Sequence, residues 1–313
     1  MSEKSLKVAL VGPPNVGKST LINAIIGQKI AITTHKPQTT RNTTLGILTD
    51  GDTQIVFADT PGIFQPRKNH KLEQFIVNNA TKTISKVDII LLIVDGYLVE
   101  KILKDQVDER VFEKISQYHQ ASKILLTPKF NKKIIFVANK IDTIQSELEH
   151  LNQEEISRIY SNILNQELYD AEKKIIPISA AHGKNIQSLI DYIKSHAKDR
   201  NWEFDPDHCT DISERALAEE ITREQLYLLM RSEIPYAVTI DTDNWEENSD
   251  GSVTIHQSIL VLKQSQKNMI IGAGGSIVKK TGERARMAIT SAFGRPVHLF
   301  LHVKVRPDWI DKL

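Results

Sequence analysis

One glycine-containing stretch near the start of the chain has the residue types and spacing that hold a polyphosphate. It follows the apolar run Val8–Val11 and precedes Leu21–Ile26, whose apolar spacing favours a helix. Strand, glycine loop and helix in that order are the context of a P-loop, in which backbone N–H groups and the helix N-terminus face phosphate oxygens. An accidental glycine turn is the alternative, which the flanking elements disfavour. The predicted phosphate-binding residues are Gly12, Pro13, Pro14, Asn15, Val16, Gly17, Lys18, Ser19 and Thr20.

Within this loop, two side chains have definite chemical roles. Lys18 would reach the terminal phosphates as a point charge, and the hydroxyl of Ser19 would ligate Mg²⁺. A second motif, which contains an acidic residue, follows another apolar run: Asp59-Thr60-Pro61-Gly62. A carboxylate at the end of a strand beside a P-loop is placed to hold Mg²⁺, usually through water. Gly62 leaves room for its backbone N–H to meet a γ-phosphate, so we interpret the motif as part of the same site.

The tetrapeptide Asn139-Lys140-Ile141-Asp142 indicates which base is bound. A carboxylate accepts from both the N1–H and the 2-amino group of guanine, whereas adenine would present a lone pair to Asp142. A buried carboxylate without a partner costs several kcal/mol, which is enough to discriminate between the bases. Asn139 can brace the base and a neighbouring loop, while Lys140 can lie along the ring. Ser179-Ala180 follows the next apolar run, and the four motifs in this order predict a GTPase.

The remaining pattern of the first two thirds predicts the elements that position these motifs. Apolar runs predict strands at Ile89–Val94, Ile134–Ala138 and Ile175–Ile178, with helical stretches at Leu72–Ile84 and Val107–Tyr118 between them. Alternating strands and helices favour a parallel sheet with helices on both faces and ligands at the carboxyl ends of the strands. A hairpin is predicted from Thr44–Thr49 and Gln54–Ala58, and an exposed loop from 33–41. The predicted fold class is therefore an α/β, doubly wound, mixed but mostly parallel sheet.

The segment from Asp95 to Asn139 is longer than one helix and two loops require, and Ala121–Lys132 resembles an insertion. Four lysines lie there or directly after it, at positions 123, 129, 132 and 133. They could contact RNA, but a solvated surface insertion is the favoured interpretation.

The last third has the pattern of a second, α+β domain. The stretch 198–207 loses periodicity and predicts a linker, so we divide the chain into domains 1–200 and 201–313. A helix is predicted over Ile212–Met230, with Ser213 or Asp211 as its cap. Two strands, Pro235–Ile240 and Val253–Leu262, would be joined by an acidic loop over Asp241–Gly251. A final strand is predicted over Val297–Val305.

Between these strands lies Gly272-Ala273-Gly274-Gly275, followed by a basic helix over Val278–Ser291. Helix, Gly-x-x-Gly loop and second helix are the KH arrangement, whose loop clamps the backbone of single-stranded nucleotides. The order of strands and helices resembles the type II variant of that domain. Such a loop alone is also a tight helix–helix turn, but the order of elements and the local basicity favour RNA binding. The counter-charges to phosphate would come from Lys279, Lys280, Arg284 and Arg286.

Composition limits the other possibilities. The formal net charge is +1, but Glu203–Gly251 holds fourteen acidic residues, whereas 252–313 holds ten Lys and Arg, which indicates a polarised surface. A single cysteine, Cys209, excludes an internal disulfide and fits a reducing cytosol. The longest apolar run, Ile89–Val94, is far shorter than a membrane span. We expect a cytoplasmic monomer, with peripheral association to the cytoplasmic face of the inner membrane left open.

Taken together, the motifs resemble the translation-factor-related class of GTPases, and with the C-terminal half the chain resembles the Era family over nearly its whole length. The resemblance rests on 12–20, Gln38-Thr39-Thr40-Arg41, 59–62, 139–142 and Ile178-Ser179-Ala180. It implies that GTP or GDP binds with Mg²⁺, and that Thr40 is the switch threonine that closes on Mg²⁺ and γ-phosphate. Spacing alone left Thr39 equally available. The implied catalytic residues are Lys18, Thr40, Asp59 and Gly62, and the implied metal ligands are Ser19, Thr40 and Asp59.

The resemblance also bears on the reaction and the partner. Many GTPases place a glutamine directly after the third motif, whereas this chain has Ile63, which belongs to the predicted nucleotide site. The resemblance implies a class with a hydrophobic residue there, in which Asn15 helps to hold K⁺. It further implies 16S ribosomal RNA near its 3′ end as the target and assembly of the 30S subunit as the role.

Two other functions compete with this interpretation. An RNA-modification GTPase should carry a further catalytic cysteine or a cofactor domain, and the sole cysteine lies at the linker. An RNA-binding protein with a regulatory nucleotide site and negligible turnover is the other. The intact Lys18, Ser19, Asp59 and Asp142 argue against it, and a turnover assay would separate the two.

Overall fold

The computed structural model describes residues 3–33, 43–62, 66, 71–127, 132–146, 148–165, 174–230 and 238–312. The chain forms two compact units. The first comprises Met1–Gly27 and Thr40–Asp211, and the second Gln28–Thr39 and Ile212–Leu313. Two residues of the predicted site, Thr40 and Ile63, lie outside the described residues, as do Gln38, Thr39 and Arg41.

The first unit is built around a mixed, mostly parallel sheet, as the sequence predicts. Its strands are β1 (Lys4–Val11), β2 (Thr44–Asp50), β3 (Thr53–Asp59), β4 (Ile89–Asp95), β5 (Lys133–Asn139), β6 (Ile175–Pro177) and β7 (Lys198–Asp199). Within the described residues they form one seven-stranded sheet in the order β2-β3-β1-β4-β5-β6, and β7 pairs with the start of β1. The β2–β3 hairpin and the β1–β7 pair are antiparallel, and the other pairs are parallel.

Helices connect these strands. They are α1 (Lys18–Ile26), α2 (Lys71–Ser85), α3 (Gly96–Leu103), α4 (Glu109–Leu125), α5 (Gln153–Leu164) and α6 (Ile186–Lys194). All residues of β4 except the last are buried, which is expected of a parallel strand covered on both faces. Side-chain caps fix two of the helix starts: Asp108 accepts from the N–H of Val111 on α4, and Asn152 and Glu155 form a capping box on α5.

The prediction of a solvated insertion at Ala121–Lys132 is wrong for the first part of that range. Helix α4 continues to Leu125, and Ala121, Ser122 and Leu125 are buried. The extra length between β4 and β5 comes instead from α3, which the sequence interpretation did not separate from the loops. Lys129 lies outside the described residues, and Lys133 opens β5 with its amine 2.6 Å from Nε2 of His196.

The stretch predicted as a linker packs with the first unit as far as Asp211. The buried side chain of Gln54 accepts from the backbone N–H groups of Glu203 and Phe204 and donates to the carbonyl of Phe204 at 2.8 Å. Further along, the N–H of Ile47 on β2 donates to the carbonyl of Cys209 at 2.8 Å. These bonds explain why the compact unit ends at 211, whereas the predicted domain boundary lies at 200.

The second unit has the predicted α+β order. Its elements are α7 (Glu214–Leu229), β8 (Val238–Glu247), β9 (Val253–Val261), α8 (Gln264–Ile271), α9 (Ser276–Phe293) and β10 (Val297–Val305). The sheet runs β10-β9-β8, with β9 and β10 parallel and β8 and β9 antiparallel. Apolar side chains of α7, β9 and α9 form one core cluster, which includes Leu217, Ile255 and Ile289.

Two details of this unit differ from or sharpen the prediction. The side chain of Ser213 accepts from the N–H of Ala216, which settles the choice of cap for α7. The prediction of an acidic loop over Asp241–Gly251 is wrong for most of that range, because β8 extends to Glu247. Asp241 and Asp243 are exposed while Thr242 between them is buried, so the acidic residues occupy the solvent side of a strand.

Candidate functional site

The loop between β1 and α1 surrounds the side-chain amine of Lys18, the first residue of α1. Nζ of Lys18 donates to the carbonyls of Gly12 at 2.8 Å and Pro13 at 3.0 Å, and the side chain is buried. Burial lowers the pKa of Lys18 to about 8, and the nearby carboxylate of Asp59 opposes part of that shift. A polyphosphate would favour the charged amine strongly, because it would supply opposite charge in a poorly solvated place.

The structure brings together the two oxygen ligands predicted for a metal ion. Oγ of Ser19, at the start of α1, donates to Oδ2 of Asp59, at the end of β3, at 2.7 Å. A hydroxyl and a carboxylate are the hard oxygen donors that Mg²⁺ takes, together with water and phosphate oxygens. This donor set fits the predicted ion. Thr60, the next residue, is buried, and its hydroxyl donates to the carbonyl of Leu10, which fixes the turn to β1.

Asn139, at the end of β5, joins three loops of the site. Its Nδ2 donates to the carbonyl of Val16 at 2.8 Å, and its Oδ1 accepts from the N–H of Ala180 at 3.0 Å. Gly17 has φ +96, and a Cβ there would lie 2.3 Å from Nδ2 of Asn139. Glycine is therefore required at this position for both its conformation and its lack of a side chain. The side-chain amide of Asn139 therefore braces the loops that contain Val16 and Ala180, which is the bracing role that the sequence predicts.

The carboxylate predicted to read the base is fixed by a neighbour. Oδ1 of Asp142 accepts from the hydroxyl of Ser179 at 2.5 Å, and Nε2 of His182 lies 3.5 Å from Oδ2. The Ser179 hydrogen bond is the main cause of a lowered pKa at Asp142, so the group is a charged acceptor at neutral pH. Asp142 therefore has the acceptor-only character that the predicted guanine contact requires.

Sequence reasoning missed two residues of this site. Nζ of Lys140 forms an ion pair with Oδ2 of Asp95 at 2.8 Å, and Oδ1 of Asp95 caps α3 by accepting from the N–H of Tyr97. Asp95 ends β4, at the same edge of the sheet as Asn139, so its place after an apolar run was an available signal. His182, in the loop after Ser179, offered no comparable pattern.

Other predicted residues line the same edge. A Cβ on Gly62 would lie 3.4 Å from Cδ of Pro14, which is ordinary contact, so the P-loop and the third motif approach each other closely. Asn15 is exposed with φ 65, a left-handed conformation that asparagine tolerates better than most residues.

In the second unit, the Gly-x-x-Gly loop forms a tight, exposed turn between α8 and α9. Gly272, Gly274 and Gly275 have φ values of 73, 59 and 80, and Ala273 and Gly274 are exposed. A Cβ on Gly272 would lie 2.8 Å from the side chain of Ile277, whereas nothing lies within 4 Å of one on Gly274. The outer glycines therefore serve the turn, and the middle positions face open space at the N-terminus of α9.

The four basic residues predicted beside this loop all lie on α9 and are exposed: Lys279, Lys280, Arg284 and Arg286. Two other basic residues of this unit are already paired with carboxylates: Arg295 with Glu214 and Glu247, and Lys304 with Asp243. Among the described residues, no carboxylate forms an ion pair with any of the four on α9. Their charge is thus available to an anionic partner.

No helix within the described residues has the length and apolar character needed to cross a membrane.

Comparisons with known proteins give a family match in each unit. Residues 7–140 match the family described as 50S ribosome-binding GTPase, and residues 233–310 match the KH domain family. The chain is 40% identical over 309 residues to GTPase Era of Rickettsia bellii (strain OSU 85-389), covering 99% of this chain and 95% of that protein. It is 37% identical over 304 residues to GTPase Era of Mesorhizobium japonicum, covering 97% and 89%.

Two solved structures are similar over the whole chain. One is Era in complex with MgGDPNP and nucleotides 1506–1542 of 16S ribosomal RNA, with a TM-score of 0.82, 32% identity, and coverage of 98% of this chain and 95% of that one. The other is a single-residue variant of Aquifex aeolicus Era bound to GDP·AlF₄⁻, with a TM-score of 0.81, 33% identity and the same coverage.

Proposed function

Since the chain belongs to the Era family of GTPases, we propose that it binds 16S ribosomal RNA near the 3′ end and acts in assembly of the 30S subunit. The observation that carries the proposal is the exposed Gly272–Gly275 loop at the N-terminus of α9, beside four cations without an ion-pair partner among the described residues. Loop N–H groups and lysine or arginine charges are what an RNA backbone requires.

In the first unit, the geometry of the described residues supports the following proposed roles. Lys18 holds the terminal phosphates from inside the loop, while Ser19 and Asp59 hold Mg²⁺, which supplies charge neutralisation when bound. Asp142 accepts hydrogen bonds from guanine. The side chain of Asn139 links the phosphate-binding loop, through Val16, to the loop that contains Ala180. Thr40 and Gly62 complete the site as the sequence interpretation has them. Hydrolysis of GTP is the activity of the family, so the alternative of a nucleotide site with negligible turnover is not retained.

The proposed RNA partner also indicates where the protein acts in the cell. We infer a monomer that acts in the cytoplasm, where ribosomal RNA is found, with peripheral contact to the cytoplasmic face of the inner membrane as the alternative.

A binding experiment with a defined RNA tests the proposed partner. A 16S fragment spanning nucleotides 1506–1542 is expected to bind the full chain more tightly than a scrambled RNA of the same length and composition. Fluorescence anisotropy at fixed salt measures both affinities, because salt alone changes binding to phosphate strongly. Equal affinity for the two RNAs would contradict the proposed target while leaving general RNA binding intact.

We propose further that K⁺ accelerates GTP hydrolysis. Position 63 holds isoleucine, which offers no polar atom to orient the attacking water. Asn15 is exposed in the phosphate loop, where its side-chain oxygen could hold a monovalent cation beside the phosphates. An arginine finger in such a place is worth roughly 10³–10⁵ in rate. We expect turnover to be several-fold faster in KCl than in NaCl of equal concentration.

The matched variant is Asn15→Ala. It is expected to reduce the rate in KCl to that in NaCl and to leave the rate in NaCl unchanged. Single-turnover hydrolysis with saturating Mg²⁺ measures this directly. Equal parental rates in the two salts would remove the K⁺ proposal without affecting the assignment of GTP hydrolysis.

A further inference from the structure

Helix α3 carries a carboxylate that is turned away from solvent. The side chain of Glu100 is 12% exposed, whereas that of Lys104, one turn further along the helix, is 43% exposed. Nζ of Lys104 forms an ion pair with Oε1 of Glu100 at 2.9 Å, and this contact is the main cause that lowers the pKa of Glu100 to about 2. A buried carboxylate is tolerated only when it is paired and hydrogen-bonded, so its other partners show what it serves.

Those partners lie in the segment that follows Asp142. Oε1 of Glu100 accepts from the backbone N–H groups of Gln145 at 3.2 Å and Ser146 at 3.1 Å, and from Oγ of Ser146 at 2.9 Å. Neither Gln145 nor Ser146 is part of a helix or strand, so their N–H groups depend on an acceptor from elsewhere. Glu100 supplies that acceptor, and the residues three and four positions after Asp142 are thereby fixed to α3.

The other end of the same segment is also fixed to the start of α3. Asp95, directly before the helix, forms the ion pair with Lys140. A Cβ on Gly96 would lie 2.9 Å from the carbonyl oxygen of Asn139, so the first turn of α3 approaches the end of β5 closely. Asp142 lies between these two attachments. Helix α3 therefore holds the chain on both sides of the residue that is predicted to read the base.

We propose that Glu100 is a positioning residue for recognition of guanine, because its bonds to 145–146 keep the carboxylate of Asp142 where it meets the N1–H and 2-amino donors. This role of Glu100 rests on the proposed guanine contact of Asp142. One carboxylate accepts from both donors only in a narrow range of orientations, so a small displacement weakens the pair of bonds. The bond from Ser179 fixes Oδ1 of Asp142, whereas Glu100 fixes the backbone that carries the side chain.

Inosine triphosphate is the probe that isolates this contact, since inosine keeps the N1–H of guanosine but lacks its 2-amino group. The parent is expected to bind GTP more tightly than inosine triphosphate, because Asp142 accepts from two donors in one case and from one in the other. Glu100→Ala should lower this ratio of affinities several-fold. Competition against a fluorescent nucleotide analogue measures both affinities, and a uniform loss of binding from a less stable fold cancels in the ratio.

Steady-state kinetics provide a second readout of the same variant. Glu100→Ala is expected to raise KM for GTP several-fold and to leave kcat at saturating GTP and Mg²⁺ at the parental value. Glu100 acts on the base-binding segment, so its loss weakens the ground state and the transition state equally.

Two further variants test the hydrogen bonds themselves. Glu100→Gln keeps an oxygen that accepts from the N–H groups of Gln145 and Ser146 but loses the charge that pairs with Lys104, so it should retain most of the parental ratio. Ser146→Ala removes one donor from the opposite side and should lower the ratio to a smaller extent than Glu100→Ala. Because Ser146→Ala leaves α3 unchanged, it decides the question even where Glu100→Ala does not fold.

Asp108→Ala is the matched control for the loss of a carboxylate from this part of the fold. Asp108 caps α4 by accepting from the N–H of Val111 at 2.8 Å, so its loss should lower stability and preserve the ratio of affinities. The proposal is overturned if folded Glu100→Ala keeps the parental ratio, or if Asp108→Ala lowers the ratio as much. A parent that binds the two nucleotides equally would contradict the guanine contact of Asp142 itself, and the role of Glu100 with it.

Discussion

Replacing Ala273 and Gly274 together by aspartate is expected to lower RNA affinity by about a hundredfold or more, since like charges forced together at an interface cost several kcal/mol. Both positions are exposed and lie at the N-terminus of α9, where a phosphate would approach. Folding should be preserved, because nothing lies within 4 Å of a Cβ on Gly274, and aspartate tolerates its left-handed backbone. Negative charge beside a helix N-terminus is, if anything, stabilising.

The double asparagine variant at the same two positions is the matched control. Asparagine has nearly the same size and the same tolerance of positive φ, so it reports the steric effect without the charge. We expect it to bind RNA much more tightly than the double aspartate variant does. A titration of RNA at several salt concentrations, with GTP turnover and melting temperature as checks of folding, distinguishes the cases. A folded, active double aspartate protein that binds RNA at parental strength would show that the loop is only a structural turn.

Neutralising Lys279 should act differently from the loop variants. It is one of the exposed α9 cations without an ion-pair partner among the described residues. Loss of one phosphate contact is expected to weaken binding moderately and to reduce the salt slope by about one.

The second large effect is expected at Asp142. Asp142→Asn should weaken GTP binding by about 2–3 kcal/mol, roughly a hundredfold, because an amide N–H₂ would face the 2-amino group of guanine. The same amide can donate to the 2-oxo group of xanthine, so affinity for xanthosine triphosphate should rise. The hydrogen bond from Ser179 can persist through the amide oxygen, which favours an intact loop. Competition between the two nucleotides for a fluorescent analogue measures the change in preference.

Asp191→Asn serves as the control for this variant. Asp191 is an exposed residue on α6, and its carboxylate accepts a hydrogen bond from Gln187 on the same helix. It should leave the preference for guanine unchanged. If Asp142→Asn binds GTP as tightly as the parent, the assignment of the guanine contact is wrong.

The site motifs could be predicted because each one is local. Gly12 to Thr20 carry their own turn chemistry, and the apolar runs before Asp59 and Asn139 place both residues at the ends of strands. Parallel pairing then brings those ends to one edge of the sheet without further information. Asp95 follows the same rule, and it was missed because no motif marks it.

The errors have physical causes that local patterns do not show. Helix α3 begins at Gly96, directly after β4, so no polar loop separates the two elements. Aspartate and glutamate are poor strand formers, so the sequence pattern predicts a loop where β8 is acidic. Only one face of this outer strand is buried, which lets acidic residues occupy the other face. Residues 30–32 are buried, but the stretch is too short to show a period.

The bonds between Cys209–Thr210 and β2 also cover part of a sheet edge, so we expect them to limit self-association. β2 is the outermost strand of its sheet, and such a strand offers unpaired backbone groups to another copy of the chain. Here Thr210 forms an antiparallel bridge with Gly46, and the carbonyl of Cys209 takes up the N–H of Ile47, so part of that edge is already occupied. A GTPase fragment cut at the apparent linker near residue 200 would uncover this edge. Such a fragment should aggregate by strand pairing, whereas one that ends after Asp211 should stay dispersed.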